Sequence, residues 1–182
     1  GPTFNGNNVI IAGSGIDTIT VGGGDNCIDA GFGTTGANTI TASATGTGNN
    51  SILGSDGIDT IVVGHGDNYI AAGDGANTIT AGSGNNFITA GDGIDTITAM
   101  GGNNVIEAGD IGVNTVTTGV GNDVVETGGG ADVIDTGAGD DIIKDAGGAG
   151  SVVAGAGHDR LIYDFSASTA PVTNTIIDVA GT

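Results

Sequence analysis

The sequence predicts an all-β protein, specifically a parallel β-solenoid with two short strands in each coil. A nine-residue unit recurs along the chain, clearest from Gly64 to Ala99 as GHGDNYIAA, GDGANTITA, GSGNNFITA and GDGIDTITA. Each unit opens with Gly-x-Gly, which favours a turn, and continues with the two-residue alternation of a strand. The triplet Thr-Ile-Thr returns only in alternate units, so two units make one coil.

The repeats begin near Asn8 and run to about Tyr163. Between Gly31 and Leu53 the period is stretched by a few residues. We expect these insertions to form loops at the corners of the coil, because an insertion within a strand would turn its inward side chains outward.

The Ile, Val or Leu two residues after each Asp or Asn is predicted to point inward and form the core. Small residues two places later, such as Ala72, Ala81, Ala90 and Ala99, also point inward and keep the coil thin. The predicted inward column is Ile10, Ile19, Ile28, Ile40, Ile52, Ile61, Ile70, Ile79, Ile88, Ile97, Ile106, Val116, Val125, Ile134, Ile143, Val153 and Leu161.

The Gly-x-Gly-x-Asp/Asn-x-Ile units resemble the RTX (repeats-in-toxin) family, whose consensus is G-G-x-G-x-D-x-U-x with U a large apolar residue. The match covers most of the chain and is tightest from Gly119 to Asp145, which reads GVGNDVVETGGGADVIDTGAGDDIIKD. The resemblance implies a β-roll, secretion, and Ca²⁺ bound between turns by Asp carboxylates and loop carbonyls. Because the repeat stops after Tyr163, residues 1–163 are predicted to form the solenoid and residues 164–182 a cap over its last coil.

Charge and composition exclude several classes of function. The net charge is −19, and Lys144 and Arg160 are the only Lys or Arg residues. Nucleic acids and anionic membranes need clustered basic side chains, so neither is an expected partner. The chain is not expected to be an enzyme, because it has no nucleophile motif. The single cysteine, Cys27, allows no internal disulfide.

The Asp or Asn position of each unit falls on one of two edges of the solenoid. Coils lie roughly 4.8 Å apart, so a column of Asp needs cations, whereas Asn amides can bond to each other. One edge alternates: Asp17, Asn38, Asp59, Asn77, Asp95, Asn114, Asp132 and Ser151. The other is mostly Asn: Asn26, Asn50, Asn68, Asn86, Asn104, Asp123, Asp141 and Asp159.

The uninterrupted column of Asp123, Asp141 and Asp159 is the predicted metal site, and Ca²⁺ is the predicted ion, because it prefers oxygen ligands. The alternative is that these residues cap glycine turns and keep the end of the rod soluble.

Alternate strands build a regular outward face. Outward pairs are Thr18/Thr20, Thr39/Thr41, Thr60/Val62, Thr78/Thr80, Thr96/Thr98 and Thr115/Thr117, so eleven of twelve positions are Thr. The opposite face is mixed: Cys27/Asp29, Ser51/Leu53, Tyr69/Ala71, Phe87/Thr89, Val105/Glu107, Val124/Glu126 and Ile142/Lys144. Duplication would have left both faces equally regular, although threonine is also a common strand residue.

This face predicts ice binding. Threonine is stiff at χ1, so its methyl and hydroxyl groups take fixed positions, about 6.6 Å apart along a strand and about 4.8 Å between coils. Those spacings lie close to repeats of the ice lattice. The face resembles the Thr-x-Thr surfaces of β-solenoid antifreeze proteins, which implies a secreted, monomeric protein whose partner is an ice crystal.

Two other functions remain open at this point. The chain also fits a calcium-binding RTX module with a structural or secretion role in a larger secreted protein. Tyr69 and Phe87, neighbours on the mixed face, are compatible with a carbohydrate-binding module, although adjacent aromatic pairs are more often structural.

Overall fold

The computed structural model describes residues 5–31, 36–148, 150–164 and 175–178, and within these ranges every regular element is a strand. The strands form two parallel nine-stranded sheets that face each other. The chain alternates between the sheets, so each pair of strands makes one of about eight turns of a solenoid. The prediction of an all-β parallel solenoid with two short strands per coil is confirmed.

Sheet A contains the odd-numbered strands, which are three or four residues long. They are β1 (Val9–Ile11), β3 (Cys27–Asp29), β5 (Ser51–Leu53), β7 (Tyr69–Ala71), β9 (Phe87–Thr89), β11 (Val105–Glu107), β13 (Val124–Thr127), β15 (Ile142–Asp145) and β17 (Arg160–Tyr163).

Sheet B contains the even-numbered strands, most of which are longer. They are β2 (Thr18–Val21), β4 (Thr39–Thr47), β6 (Thr60–His65), β8 (Thr78–Ser83), β10 (Thr96–Gly101), β12 (Thr115–Val120), β14 (Val133–Asp135), β16 (Ser151–Gly155) and β18 (Thr175–Asp178). No helix capable of spanning a bilayer occurs within the described ranges.

The core is a single line of side chains between the sheets. Ile from successive coils stack directly on each other, as in the pairing of Ile79 with Ile97, and both are at most 1 % exposed. The inner alanines Ala72, Ala81 and Ala90 are fully buried as predicted. Burying one Ile or Val side chain per strand contributes about 1.5–3 kcal/mol each, which is why stacking many thin coils is stable.

The predicted inward column is correct except in β16. Val152, and not Val153, is fully buried, and it aligns with Ile134 of the preceding coil. Ile10 and Leu161, at the two ends of the column, are only partly buried.

The insertion after Ala42 is also different from the prediction. It lies inside β4 as a bulge, where the pairing with β6 jumps from Ala42 to Thr47. Ile40 lies before the bulge, so it still pairs with Ile61 and both side chains point inward. Residues 32–35, part of the first predicted insertion, lie outside the described residues.

The turns between sheets need glycine because successive coils nearly touch there. Gly139 has φ +147°, and a Cβ at that position would lie 2.0 Å from the carbonyl oxygen of Gly121. A side chain would therefore force the coils apart. At the C-terminal end, β18 belongs to the predicted cap and pairs with β16, which extends sheet B by one strand. Residues 165–174 and 179–182 of the predicted cap lie outside the described residues.

Candidate functional site

The turns place Asp and Asn side chains in two columns, one along each edge of the solenoid. The alternating edge precedes sheet B, and its described column comprises Asp17, Asn38, Asp59, Asn77, Asp95, Asn114 and Asp132. The asparagine edge precedes sheet A, and its column comprises Asn8, Asn26, Asn50, Asn68, Asn86, Asn104, Asp123, Asp141 and Asp159. Most of these side chains are at most 3 % exposed, so their hydrogen bonding affects stability directly.

The asparagine edge is a continuous amide ladder. The Oδ1 of Asn68 accepts hydrogen bonds from both the backbone N (3.0 Å) and the Nδ2 (2.8 Å) of Asn50. The same Nδ2 donates to the Gly48 carbonyl at 2.9 Å. The pattern ends where both nitrogens of Asn104 donate to Oδ1 of Asp123, at 2.7 and 2.9 Å. This part of the edge requires no cation.

The hydrogen-bonding pattern of this edge changes at Asp123. The backbone N of Asp123 donates to Oδ1 of Asp141 at 2.8 Å, and that of Asp141 donates to Oδ1 of Asp159 at 3.0 Å. The Oδ2 atoms of all three residues are buried without a hydrogen-bond partner. An Asn at this position would donate its amide protons there, whereas a carboxylate offers only acceptors.

The chemistry of these carboxylates fits calcium binding. Ca²⁺ takes oxygen ligands only, and it would supply the positive charge that the unpaired Oδ2 atoms lack. No group of three or more His, Cys, Asp and Glu side chains converges on one point within the described ranges. Each ion would therefore be held by one or two carboxylates of Asp123, Asp141 and Asp159 together with turn carbonyls. This is the arrangement that the RTX resemblance implies.

The alternating edge is only half satisfied, because its bonds use Oδ1 alone. Asn38 N donates to Oδ1 of Asp59 at 2.7 Å, and Asn77 N donates to Oδ1 of Asp95 at 2.8 Å. Oδ2 of each Asp on this edge is buried and unpaired: Asp17, Asp59, Asp95 and Asp132. Alternation of Asp with Asn halves the charge density of this edge, which could therefore be hydrogen-bonded without metal or could hold a cation. The unpaired oxygens favour the second possibility and make this edge a second candidate cation site.

Ser151 does not belong to the alternating edge, although the sequence placed it there. It pairs with Val133 at the start of β16, on the outward face of sheet B. The one-residue offset is the same as the one that exchanges Val153 for Val152.

Burial also affects the protonation of the edge carboxyls. Burial raises the pKa of Asp95 to about 6 and raises the pKa of Asp59, Asp132 and Asp141 above the usual range. The cause is the loss of hydration of the charged form, which hydrogen bonds from the backbone and from neighbouring side chains only partly offset. At neutral pH these groups are charged, buried and short of partners, so a bound cation would stabilise them.

Sequence reasoning also missed Asp145. Its side chain is 2 % exposed, its Oδ1 accepts a 2.8 Å hydrogen bond from Gly147 N, and burial raises its pKa. Its position two residues after Ile143 was the available signal, because that position is buried in most units.

The outer face of sheet B carries the threonines in two straight columns. The first Thr column is Thr18, Thr39, Thr60, Thr78, Thr96 and Thr115, and the second is Thr20, Thr41, Val62, Thr80, Thr98 and Thr117, with each member paired to the next. All are exposed or half-exposed. The columns end at Val133 and Asp135 of β14, which lie opposite Thr115 and Thr117.

A third, apolar column flanks the threonines and was not identified from the sequence. It comprises the residue before each Asp or Asn of the alternating edge. Its large members are Ile16, Ile58, Ile94 and Val113, whose side chains are 76, 63, 62 and 47 % exposed, respectively. The other described members of the column are the alanines Ala37, Ala76 and Ala131. Together with the Thr columns it makes an uncharged strip along six coils.

Comparison with known proteins identifies the repeat. A family model described as the RTX calcium-binding nonapeptide repeat (4 copies) matches residues 3–35, 45–79, 80–110 and 108–143. Comparisons with curated proteins and with solved structures gave no match. The four matches cover most of the chain, in agreement with the stacked turns and their Asp columns. The protein therefore belongs to the RTX calcium-binding nonapeptide repeat family.

Proposed function

We propose that this chain is a calcium-stabilised RTX module of an extracellular protein, with Ca²⁺ held at the Asp123, Asp141 and Asp159 column. The observation that supports this most is the set of buried Oδ2 atoms without partners on that column. A ligand that binds only the folded chain stabilises it by mass action, by about 2.7 kcal/mol at 100 times its Kd. RTX repeats occur in secreted proteins, and extracellular calcium-binding modules hold the ion with a Kd of roughly 10⁻⁴–10⁻³ M.

The test is the variant Asp141→Asn, which converts the middle of the column into an amide. In chelator, the variant should melt higher than the wild type, because an amide replaces an unpaired buried carboxylate. In calcium, its gain in Tm should be smaller than that of the wild type. A substitution that merely destabilised the fold would lower the Tm both in chelator and in calcium. A higher Tm in chelator together with a smaller gain from calcium therefore identifies a lost metal ligand.

Asp135→Asn is the matched control, because it removes the same charge from an exposed strand position. It should leave the calcium-dependent gain in Tm unchanged. Equal calcium gains in the wild type and in Asp141→Asn would refute binding at this column, as would the absence of any gain in the wild type.

A second function, adsorption to ice, is supported by the outer face of sheet B. The Thr columns are in register across six strands and carry no charge, and the apolar column extends the strip by a third row. Rigid methyl and hydroxyl groups at fixed spacing can order water into an ice-like array. Strongly hydrated charged groups would disrupt such an array, and sheet A has several on its outer face.

Thr78→Tyr and Thr96→Tyr test this function in the middle of the strip. Both side chains point outward, so the cost in stability should stay within about 0.5 kcal/mol. Each ring would hold the neighbouring threonines away from a flat crystal, and ice-recrystallisation inhibition should fall to background. Val124→Tyr, on the outer face of sheet A, is the control and should retain full activity. Equal behaviour of the three variants would rule out the Thr face as the ice-binding surface.

A further inference from the structure

Sheet A carries a groove that neither calcium binding nor ice adsorption uses. It has a volume of about 370 Å³ and lies near the N-terminal end of the solenoid. Its floor is formed by the small side chains of Cys27 and Ser51, which are paired neighbours in β3 and β5. Tyr69 closes one end and Val9 the other. The groove is open because two consecutive coils carry small residues between larger ones.

The end wall is one face of an aromatic ring. Tyr69 and Phe87 stack with ring centroids 5.5 Å apart and an angle of 2° between their planes. Phe87 covers one face of the tyrosine ring, and the partner of Tyr69 on the other side is Ser51. A serine is too short to cover a phenol ring. Tyr69 therefore remains 46 % exposed and presents its free face to the groove.

The side wall is a row of polar groups that each keep one atom available. Oδ1 of Asp25, Asn49 and Asp67 accepts a hydrogen bond from the backbone N of the next coil, at 2.8, 2.8 and 2.7 Å respectively. No described residue hydrogen-bonds the second carboxylate oxygen of Asp25 or Asp67, or the amide nitrogen of Asn49. Two acceptors and one donor thus line the groove at the spacing of the coils, roughly 4.8 Å.

We propose that this groove binds a neutral sugar, with one pyranose ring stacked on Tyr69. The C–H face of a pyranose packs against an aromatic ring, as apolar groups do elsewhere. Sugar hydroxyls would donate to Asp25 and Asp67 and accept from Asn49. The volume lies within the usual range for small-ligand sites, about 300–1,000 Å³.

The charge of the protein selects against acidic ligands. Two carboxylates line the groove, and the net charge of the chain is −19. Uronic acids, sulfated sugars and nucleotides would be repelled, whereas a neutral glycan would not. A purely aromatic ligand would cover Tyr69 but leave the polar side wall without partners, and this favours a sugar as the occupant.

Tyrosine fluorescence provides a direct test, because the chain has two tyrosines and no tryptophan. The second, Tyr163, lies in β17 at the other end of sheet A. The calcium-loaded protein is titrated with cellopentaose, maltopentaose and mannopentaose, and with an oligogalacturonate as the acidic counterpart. At least one neutral oligosaccharide should quench the Tyr69 emission with a Kd of about 1 mM or tighter, and the acidic one should not.

Three variants and one control locate the binding, and calorimetry replaces fluorescence where Tyr69 is removed. Tyr69→Ala should weaken binding about tenfold, the measured scale of an aromatic contact, and Tyr69→Phe should restore most of it. Ser51→Leu should fill the groove and weaken binding similarly, while Val124→Leu, outside the groove, should change nothing.

The proposal is overturned if none of the neutral oligosaccharides binds with a Kd of about 1 mM or tighter, or if Tyr69→Ala and Ser51→Leu bind as tightly as the wild type. It is equally overturned if the oligogalacturonate binds as well as the neutral sugars. Because the groove and the Thr columns lie on opposite sheets, Thr96→Tyr should leave sugar binding intact.

Discussion

At the scale of single residues, the difference between an amide and a carboxylate decides what each turn requires. Asn86 and Asp95 occupy equivalent positions on the two edges, and both are almost fully buried. The amide of Asn86 donates to Asn104 at 2.9 Å and to the Gly84 carbonyl at 2.9 Å. Asp95 has no such donor, and its Oδ2 remains unpaired. Oδ1 of Asp95 accepts a hydrogen bond from Asn77 N, whereas its Oδ2 costs free energy unless a proton or a cation is present.

Asp95→Asn should stabilise the metal-free protein at pH 7 by about 1–2 kcal/mol, because it removes an unpaired buried acceptor. The raised pKa of Asp95, about 6, means that the folded wild type binds a proton more readily than the unfolded chain does. The benefit of the substitution should therefore be largest at pH 7 and shrink towards pH 4. Urea unfolding at both pH values measures it.

Asp135→Asn, at an exposed position, is the reference for the loss of one negative charge. A variant less stable than the wild type in chelator would show that Oδ2 of Asp95 has a hydrogen-bond donor in the folded protein.

At the scale of single strands, one triplet serves two purposes. In β10, Ile97 is fully buried, while Thr96 and Thr98 point away from the core. Strand periodicity places the two sets on opposite faces, so the outer residues can be exchanged with little effect on the core. The outer face can therefore carry a pattern chosen for an external surface.

The double variant Val133→Thr, Asp135→Thr should lengthen both Thr columns by one coil. β14 already pairs in register with β12, and both positions are exposed. If ice adsorption depends on the area of the Thr face, ice-recrystallisation inhibition should appear at a lower protein concentration than in the wild type. Removal of the hydrated Asp135 carboxylate acts in the same direction.

Ile142→Thr is the matched control, since it adds an exposed threonine to sheet A. An equal gain from the control would show that added threonine content, and not the columns, changes the activity. A loss of activity in the double variant would show that the face ends at β12 for a geometric reason.

At the scale of the whole molecule, the protein is a thin rod whose coils contact only their neighbours. Its stability is therefore close to a sum over coils and their interfaces. The rod carries a net charge of −19, and carboxylates without partners recur along both edges. Self-repulsion acts against the compact state, and bound cations reduce it.

The metal-free protein should lose stability as the pH rises from about 4 to 7. Burial raises the folded-state pKa of Asp59, Asp95, Asp132 and Asp141, so in this window the folded chain binds more protons than the unfolded chain. Under that condition the free energy of unfolding decreases with increasing pH. If calcium is bound by these carboxylates, it binds their deprotonated form, so the slope should flatten or reverse when calcium is added.

Melting curves at several pH values, in chelator and in calcium, measure both slopes. Parallel slopes in the two series would contradict calcium binding by these carboxyls. A metal-free protein that gained stability towards pH 7 would show that their pKa values are not raised.

The period of the sequence was sufficient to predict the sheets, the core column and the outward Thr columns. Glycine turns every nine residues and strand alternation leave few ways to bury one Ile per strand. The exception is β16, where Val152 and Val153 are both apolar and alternation cannot choose between them. Backbone pairing chooses, because Ser151 N donates to the Asp132 carbonyl at 2.8 Å and so brings Val152 inside.

The properties of the edges and of the groove depend on contacts between coils. Whether a carboxylate oxygen finds a donor depends on the residue one coil away, which is 18 or more positions distant in sequence. The groove at Tyr69 requires Ser51 and Cys27 to align across coils of unequal length, where the chain contains insertions. Local alternation specifies which way a side chain points. The register of the stacked coils determines which residues that side chain contacts, because its hydrogen bonds and its burial depend on the neighbouring coils.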